Sequence, residues 1–359
     1  MVPVVELTRR AERYRDRFVE SVDQVLKSGH ILLGQQTEAL EAEVASAMGA
    51  GYAIAVASGA SALSLSLVSL GIGPGDEVIV PSFTAVPTAA AVCSTGAIPV
   101  PVDVDPLTAL IDPKAVSEAC NERTAAILPV HLYGRPLSIV DSGLRDFGIP
   151  IIEDAAQAHG ALLPLSESAS AAVCYSFYPT KNLGGIGDGG IVLTDDAETA
   201  SRLRRLRVHG MTEQYVHIDI AMNARMSELE AAWLRLVLPD LNEGNERRRN
   251  IAGRYRITAP SLLWQEPHER HVYHLSVVRV SDRQGFRDFM ADHDVKTAVH
   301  YPLALNDQPA YRQFERHDCP EAAKWARECV SLPCFPEMTD EEIDIVCNAL
   351  RLFEASENI

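Results

Sequence analysis

Three places in the sequence set chemically active side chains directly after apolar, strand-like runs. YAIAVA (52–57) leads into Ser58, Gly59, Ala60, Ser61 and Ala62, and IPIIE (149–153) leads into Asp154, Gln157 and His159. AVCYSFY (172–178) contains Ser176 and leads into Lys181, with Gly184, Gly185, Gly187, Gly189 and Gly190 just beyond. Small residues at the start of a helix let backbone N–H groups approach an anion, which the positive helix end attracts; the same residues also suit a tight strand-to-helix turn. A carboxylate at the end of an apolar strand is expensive to bury unless it meets a cation, although Asp154 would also serve as a helix N-cap. A lysine hemmed by glycines is poorly explained by solvation alone, though a surface turn remains the plain alternative.

A phosphate cradle, a buried carboxylate and a sequestered lysine at successive strand ends are together the parts that hold pyridoxal 5′-phosphate (PLP). The amine forms a Schiff base with the aldehyde, and the carboxylate keeps the pyridine nitrogen protonated so that the ring accepts electrons.

These side chains need a scaffold that ends several strands on one side. Short apolar runs at 52–58, 77–82, 97–104, 124–130, 149–155, 172–178 and 189–195 supply it, with helical segments such as ASALSLSLVSL, AVPTAAAVCS and PKAVSEAC between the early ones. This alternation predicts an α/β fold with a mainly parallel sheet between helices, and ligands in such folds sit at the carboxyl ends of the strands. From Met226 a long amphipathic helix is expected, opened by a capping box of Ser227 with Glu230 and kinked at Pro239. A smaller α+β unit follows, with a strand at 271–280, a helix at 283–293, a strand at 295–300 and a last helix opened by Thr339 and Glu342. The expected division is a large PLP-binding domain over 1–240 and a small C-terminal domain over 241–359, joined by the long helix.

The bulk numbers exclude several classes. With 359 residues, 47% of them hydrophobic, the chain has enough apolar material for one or two cored domains. A net charge of −17 argues against a nucleic-acid or anionic-membrane partner. No apolar stretch reaches the ~20 residues of a membrane span, and MVPVVELTRRAERYR is charged where a signal peptide is apolar. Seven cysteines without framework spacing read as reduced thiols, so a soluble cytoplasmic protein is expected. His217, His268, His271 and His274 lack ligand-like spacing, and no metal site is expected. The basic runs RLRRLRVHG (202–210) and NERRRN (245–250) read as solvated helix faces, or else as anchors for a substrate diphosphate.

SGASAL, IIEDAAQAHGA, YSFYPTKNLGGIGDGG, NARMSELEAAW and VHYPLAL resemble, in order and spacing, the DegT/StrS sugar aminotransferases, from about Gly34 to the last helix. The resemblance implies the aspartate-aminotransferase-like fold (fold type I) and a homodimer with shared sites. It implies that Lys181 carries PLP and then shuttles the proton, that Asp154 pairs with the pyridinium nitrogen, and that Gln157 reaches the ring hydroxyl. It further implies phosphate binding by Gly59, Ala60 and Ser176, with Asn223 reaching the cofactor of the neighbouring subunit. His159 would support the ring, and His300 and Tyr301 would lie over the sugar. Ala60 stands where the family often has Thr, and Ala85 where it usually has a stacking aromatic, which leaves Phe83 to stack. The segment between His159 and Ser176 lacks the family's glycine-marked turn.

The implied reaction moves an amino group from an amino acid, by family habit L-glutamate, to a nucleotide-linked keto-deoxysugar, with C3 favoured over C4. Lys181 argues against the family's dehydratases, which carry histidine there. An aminotransferase for a cyclitol ketone and a PLP-binding regulatory protein without turnover are the alternatives.

Overall fold

The computed structural model describes residues 1–357. The apolar runs form β1 (Tyr52–Val56), β2 (Glu77–Pro81), β3 (Ile98–Val102), β4 (Thr124–Ile127), β5 (Ile152–Asp154), β6 (Ala172–Ser176) and β7 (Gly190–Thr194). Parallel ladders join β3–β2–β4 and β5–β6, and isolated parallel bridges Ile127–Ile151 and Val130–Asp154 link the two groups. β7 lies antiparallel between β6 and β1, so Lys181 sits on the reversal between two antiparallel neighbours. Along β1, Ile54 and Val56 enter one core cluster while Ala53 and Ala55 enter another. Both faces are therefore buried, which is why these strands carry almost no polar residues.

Before β1 come α1 (Thr8–Ser28) and α2 (Gln35–Met48). Next are α3 (Gly59–Ser69), α4 (Val86–Ser94), α5 (Pro113–Ala119), the short α6 (Leu165–Ser168) and α7 (Ala197–Leu206). A hairpin of β8 (Met211–Glu213) and β9 (Val216–His217) leads to α8 (Glu228–Val237). One 3-10 turn at Leu238–Asp240 then joins α8 to α9 (Leu241–Thr258), so Pro239, which has no N–H to give, marks the expected kink. No helix among the described residues is long and apolar enough to cross a membrane.

The C-terminal part pairs β10 (Leu263–Trp264), β11 (Ser276–Arg279) and β12 (Cys329–Leu332) antiparallel, with α10 (Arg283–Asp292), α11 (Pro320–Glu328) and α12 (Asp340–Glu357) around them. Two strand expectations need correction. Only the end of 271–280 is laddered, and 295–300 makes just the isolated bridges Val2–Val295 and Ala298–Ser331. Nor does the core break cleanly at residue 240: Val2 packs in the C-terminal cluster, while Leu305, Trp325 and Cys329 join the cluster of the large sheet.

The two capping boxes differ. At α12, Thr339 and Glu342 exchange both bonds, at 2.9 and 3.2 Å. At α8, the Ser227 hydroxyl accepts the Glu230 N–H at 3.2 Å, but Glu230 does not reach back. Its buried carboxyl presses instead against Gly185, where a Cβ would collide with it, and burial pushes it up to about 7. Glu228 caps α2 from outside: its buried carboxylate accepts the N–H groups of Gly34, Gln36 and Thr37 at 2.8 to 2.9 Å and the Thr37 hydroxyl. Glu228→Ala strands these donors at a buried helix start, and a loss of about 2–4 kcal/mol in unfolding free energy is expected. Urea denaturation measures it, and a loss under about 0.5 kcal/mol would contradict the role.

Candidate active site

The segment 177–189, between β6 and β7, is fixed from three sides. Arg10 of α1 donates to the carbonyl oxygens of Pro179 and Lys181, and the Trp233 indole N–H of α8 donates to Gly184 O at 3.0 Å. Asn182 Nδ2 donates to Asn245 Oδ1 and Val272 O, at 2.8 and 2.9 Å. The glycines serve this packing. A Cβ at Gly184 would meet the Pro179 carbonyl, one at Gly185 the Glu230 carboxyl, and one at Gly190 the backbone of Ser58. Their bareness therefore lets protein press on protein, and is not reserved for a ligand ring.

On this scaffold the Lys181 amine makes no hydrogen bond or ion pair among the described residues. Burial pulls it down to about 8, against the attraction of Asp154, which raises it. Asp154 closes β5 and is 5% exposed. Burial raises its carboxyl, while the Thr88 hydroxyl on Oδ2 (2.8 Å) and the Ala156 N–H on Oδ1 (3.1 Å) favour the anion. Thr88 is the third residue of α4 and is itself in contact with Thr84 Oγ1 at 3.1 Å.

Gln157 is oriented by its neighbours. Its Oε1 accepts the Tyr133 N–H at 2.6 Å, which leaves Nε2 to donate to the Tyr301 hydroxyl at 3.1 Å. Tyr133 takes a left-handed backbone (φ 64°) to aim that N–H, and its own hydroxyl donates to His300 O. The Tyr301 hydroxyl is pushed up to about 12 by burial, so it stays a neutral donor.

At the start of α3 the Ser58 hydroxyl caps Ser61 N (3.0 Å) and contacts Ser61 Oγ at 2.9 Å, so the hydroxyl beside Ala60 is already engaged. A Cβ at Gly59 would come within 2.6 Å of the Ser176 Cβ. Glycine is required there, which brings the start of α3 against Ser176 at the end of β6. His159 is buried against Tyr175 and Phe177, with ring centroids 5.0 and 5.9 Å away. Neither of its nitrogens has a hydrogen bond of normal geometry, and burial, then the charge of Lys181, pulls it down to about 3.

Two expectations, a stacking face from Phe83 and a free basic run at 202–210, are not met. Phe83 is fully buried, stacked on Trp325 (6.1 Å) and edge-on to Tyr133 (6.4 Å), so it offers the site no face for stacking. Asn223 is exposed and bonded to Arg225 at 2.9 Å, away from the Lys181 cavity. The arginines of 202–210 are mostly engaged: half-buried Arg202 and Arg205 pair with Asp219, buried Arg207 with Glu41, and exposed Arg204 lies over Tyr52. The altered turn after His159 is made by Ala169 at φ 56°.

His300 and Tyr301 line a cavity of about 350 Å³ together with Lys181, Thr180, His274 and Arg248. His300 accepts from or donates to Ser331 Oγ at 2.8 Å, and it is kept neutral by burial and then by Lys181. The residues fit PLP on three counts: an unpartnered buried amine, a buried carboxylate that accepts two hydrogen bonds but has no bonded cation, and a helix start cleared at Gly59. Sequence reasoning missed Thr88 and Tyr133 and did not bring His274 or Arg248 to this cavity. Thr88 left a signal as a hydroxyl in the first turn of the helix after β2, and Arg248 lay in the NERRRN run already noted as a possible anion anchor.

Known proteins match this arrangement. The profile of the DegT/DnrJ/EryC1/StrS aminotransferase family covers residues 12–351. A Geobacillus stearothermophilus protein named "Pleiotropic regulatory protein" is 37% identical over 98% of both chains. The dTDP-3-amino-3,6-dideoxy-alpha-D-galactopyranose transaminase of Aneurinibacillus thermoaerophilus is 39% identical over 98% of this chain and 99% of its own. The solved structure of Streptomyces venezuelae DesV in complex with a ketimine intermediate superposes with a TM-score of 0.93 at 39% identity, over 98% of each chain.

Proposed function

Because the chain belongs to the DegT/DnrJ/EryC1/StrS aminotransferase family and is a PLP-dependent aminotransferase of its fold, we propose that it moves the amino group of L-glutamate to C3 of a nucleotide-linked keto-deoxysugar. The observation that carries this reading is the buried, unpartnered Lys181 amine beside Asp154. The C3 preference is supported by the 3-amino-sugar transaminase relative.

Bound PLP supplies the electron sink, and the chain's own groups do the rest. Lys181 Nζ would hold the cofactor and, as a free neutral amine, would take the proton from the donor's Cα, an intramolecular transfer that proximity makes fast. Asp154, which burial pushes toward the neutral acid and the Thr88 and Ala156 hydrogen bonds draw back toward the anion, would face the ring nitrogen and favour its protonated form. Gln157 Nε2 has a second hydrogen that would reach the ring hydroxyl, and Gly59, Ala60 and Ser176 would seat the phosphate. Neutral His159 backs the ring without repelling Lys181. His300 and Tyr301 face the sugar.

A homodimer completes the reading. Exposed Tyr215, Val216, Ile218, Ile220 and Met222 flank Asn223, an apolar strip that a second copy would cover while Asn223 reaches its partner's phosphate site. The proposed enzyme is soluble and cytoplasmic, with a large and a small part that meet near residue 240 and share core packing across it.

A lysine near pH 8 is about one tenth neutral at pH 7 and about nine tenths at pH 9. The rate of the glutamate half-reaction is therefore expected to rise with pH through about 8 and then level off; stopped-flow absorbance from pH 6 to 9.5 reads it, and a flat profile would contradict Lys181 as the base. The regulatory reading has the name of one relative in its favour. It predicts a yellow holoprotein indifferent to any amino donor, whereas bleaching by glutamate and recovery with a 3-keto sugar nucleotide support transamination.

A further inference from the structure

In a chain with 49 acidic and 32 basic residues, the cavity that holds Lys181 is lined by no aspartate or glutamate. It does receive Arg248, the middle arginine of NERRRN. That side chain is not a solvated helix face: it is 5% exposed, reaching inward from α9. Its Nη1 donates to the carbonyl oxygens of Tyr273 (3.2 Å), His274 (3.4 Å) and Cys334. Its Nε has no partner, and it makes no ion pair among the described residues. Carbonyl dipoles orient a guanidinium without neutralising it, and an unpaired buried charge is strongly unfavourable. Arg248 also borders an adjoining cavity lined by Glu337 and other carboxylates; burial disfavours its charged form, Cys334 and then Glu337 favour it, and none of those carboxylates bonds to Arg248.

Beside Arg248 stands His274, 7% exposed, whose Nδ1 also lacks a partner. Burial, then the charges of Lys181 and Arg248, hold it neutral. A neutral imidazole donates one N–H and adds no charge, the pairing that an entering carboxylate needs next to an arginine.

The geometry points to Arg248 and His274 as a subsite for a carboxylate of the amino donor, next to the amine that receives it. The inference rests on the donor half of the proposed function and adds its recognition element. A substrate diphosphate, the other anion in the proposed reaction, is separated from the reacting carbon by the sugar ring. It therefore lies farther out than this wall, and the cavity is of a size for one small ligand.

The probe is glutarate, which has both carboxylates of glutamate and no amino group. Calorimetric titration of the PLP-loaded protein is expected to show binding that weakens about 10- to 100-fold in Arg248→Gln and about 3- to 10-fold in His274→Ala. Binding of a nucleoside diphosphate is expected to be unchanged in both. Arg248→Gln also loosens the 273–274 backbone, so His274→Ala carries the test if thermal unfolding shows the first variant damaged. Glutarate binding equal to wild type in folded variants overturns the subsite, and so does equal loss of glutarate and nucleoside diphosphate. Failure of the wild type to bleach with glutamate, while glutarate still binds through Arg248, would count against the donor assignment and leave the subsite standing.

Discussion

Lys181→Ala leaves a folded protein that takes up PLP, and its turnover falls at least about 10⁴-fold, because both the covalent anchor and the proton carrier are gone. Folding survives since the segment is fixed through its backbone: Arg10 holds two of its carbonyls, Trp233 a third, and the Asn182 side chain ties it to α9. No partner of the amine is orphaned, as it has none. Borohydride reduction with peptide mapping labels position 181 in the wild type only, and an unaltered melting temperature excludes a structural cause. Activity within tenfold of wild type would remove the lysine from the mechanism.

Asp154→Asn is the second large loss, about 10²- to 10³-fold in both half-reactions, with little change in stability. The amide has the carboxylate's shape, its Oδ1 still accepts from Ala156, and the Thr88 hydroxyl can turn to meet the new N–H, since Thr84 Oγ1 offers it another bond. The negative charge alone is lost, and with it the proton on the ring nitrogen. Because the defect lies on the cofactor, glutamate and sugar half-reactions fall together. That pattern separates Asp154 from Arg248, which acts on the donor. A variant slowed less than tenfold, or slowed in one half only, would mean that the carboxylate does not govern the ring.

The sequence makes the strand ends legible because the chemistry there is local. Asp154 follows its strand directly, Lys181 follows the next, and Gly59 opens a helix, so each stands where periodicity stops. What escapes is whatever the third dimension supplies. Phe83 had the right type and neighbourhood, but the strand end aims it into the Trp325 cluster. The glycine run looks like room for a ligand until α8 is folded against it and Glu230 fills the space. Arg248 looks like one charge among three; α9 turns Arg247 outward to Asp340 and Arg248 inward. Strand 271–280 alternates well, yet its first half is held off the ladder, with Tyr273 at φ 41°. No pattern within a segment records that.

The clamp on the lysine segment bears on when a newly made chain becomes competent. Arg10 precedes Lys181 by 171 positions, and Trp233 follows Gly184 by 49. While the ribosome is still translating the region after β7, the lysine exists but its seat does not, and PLP met at that stage finds an untethered amine. Maturation must wait for α8 and α9 to emerge and close over it. A stalled or prematurely ended product would therefore stay colourless, however well its sheet had formed.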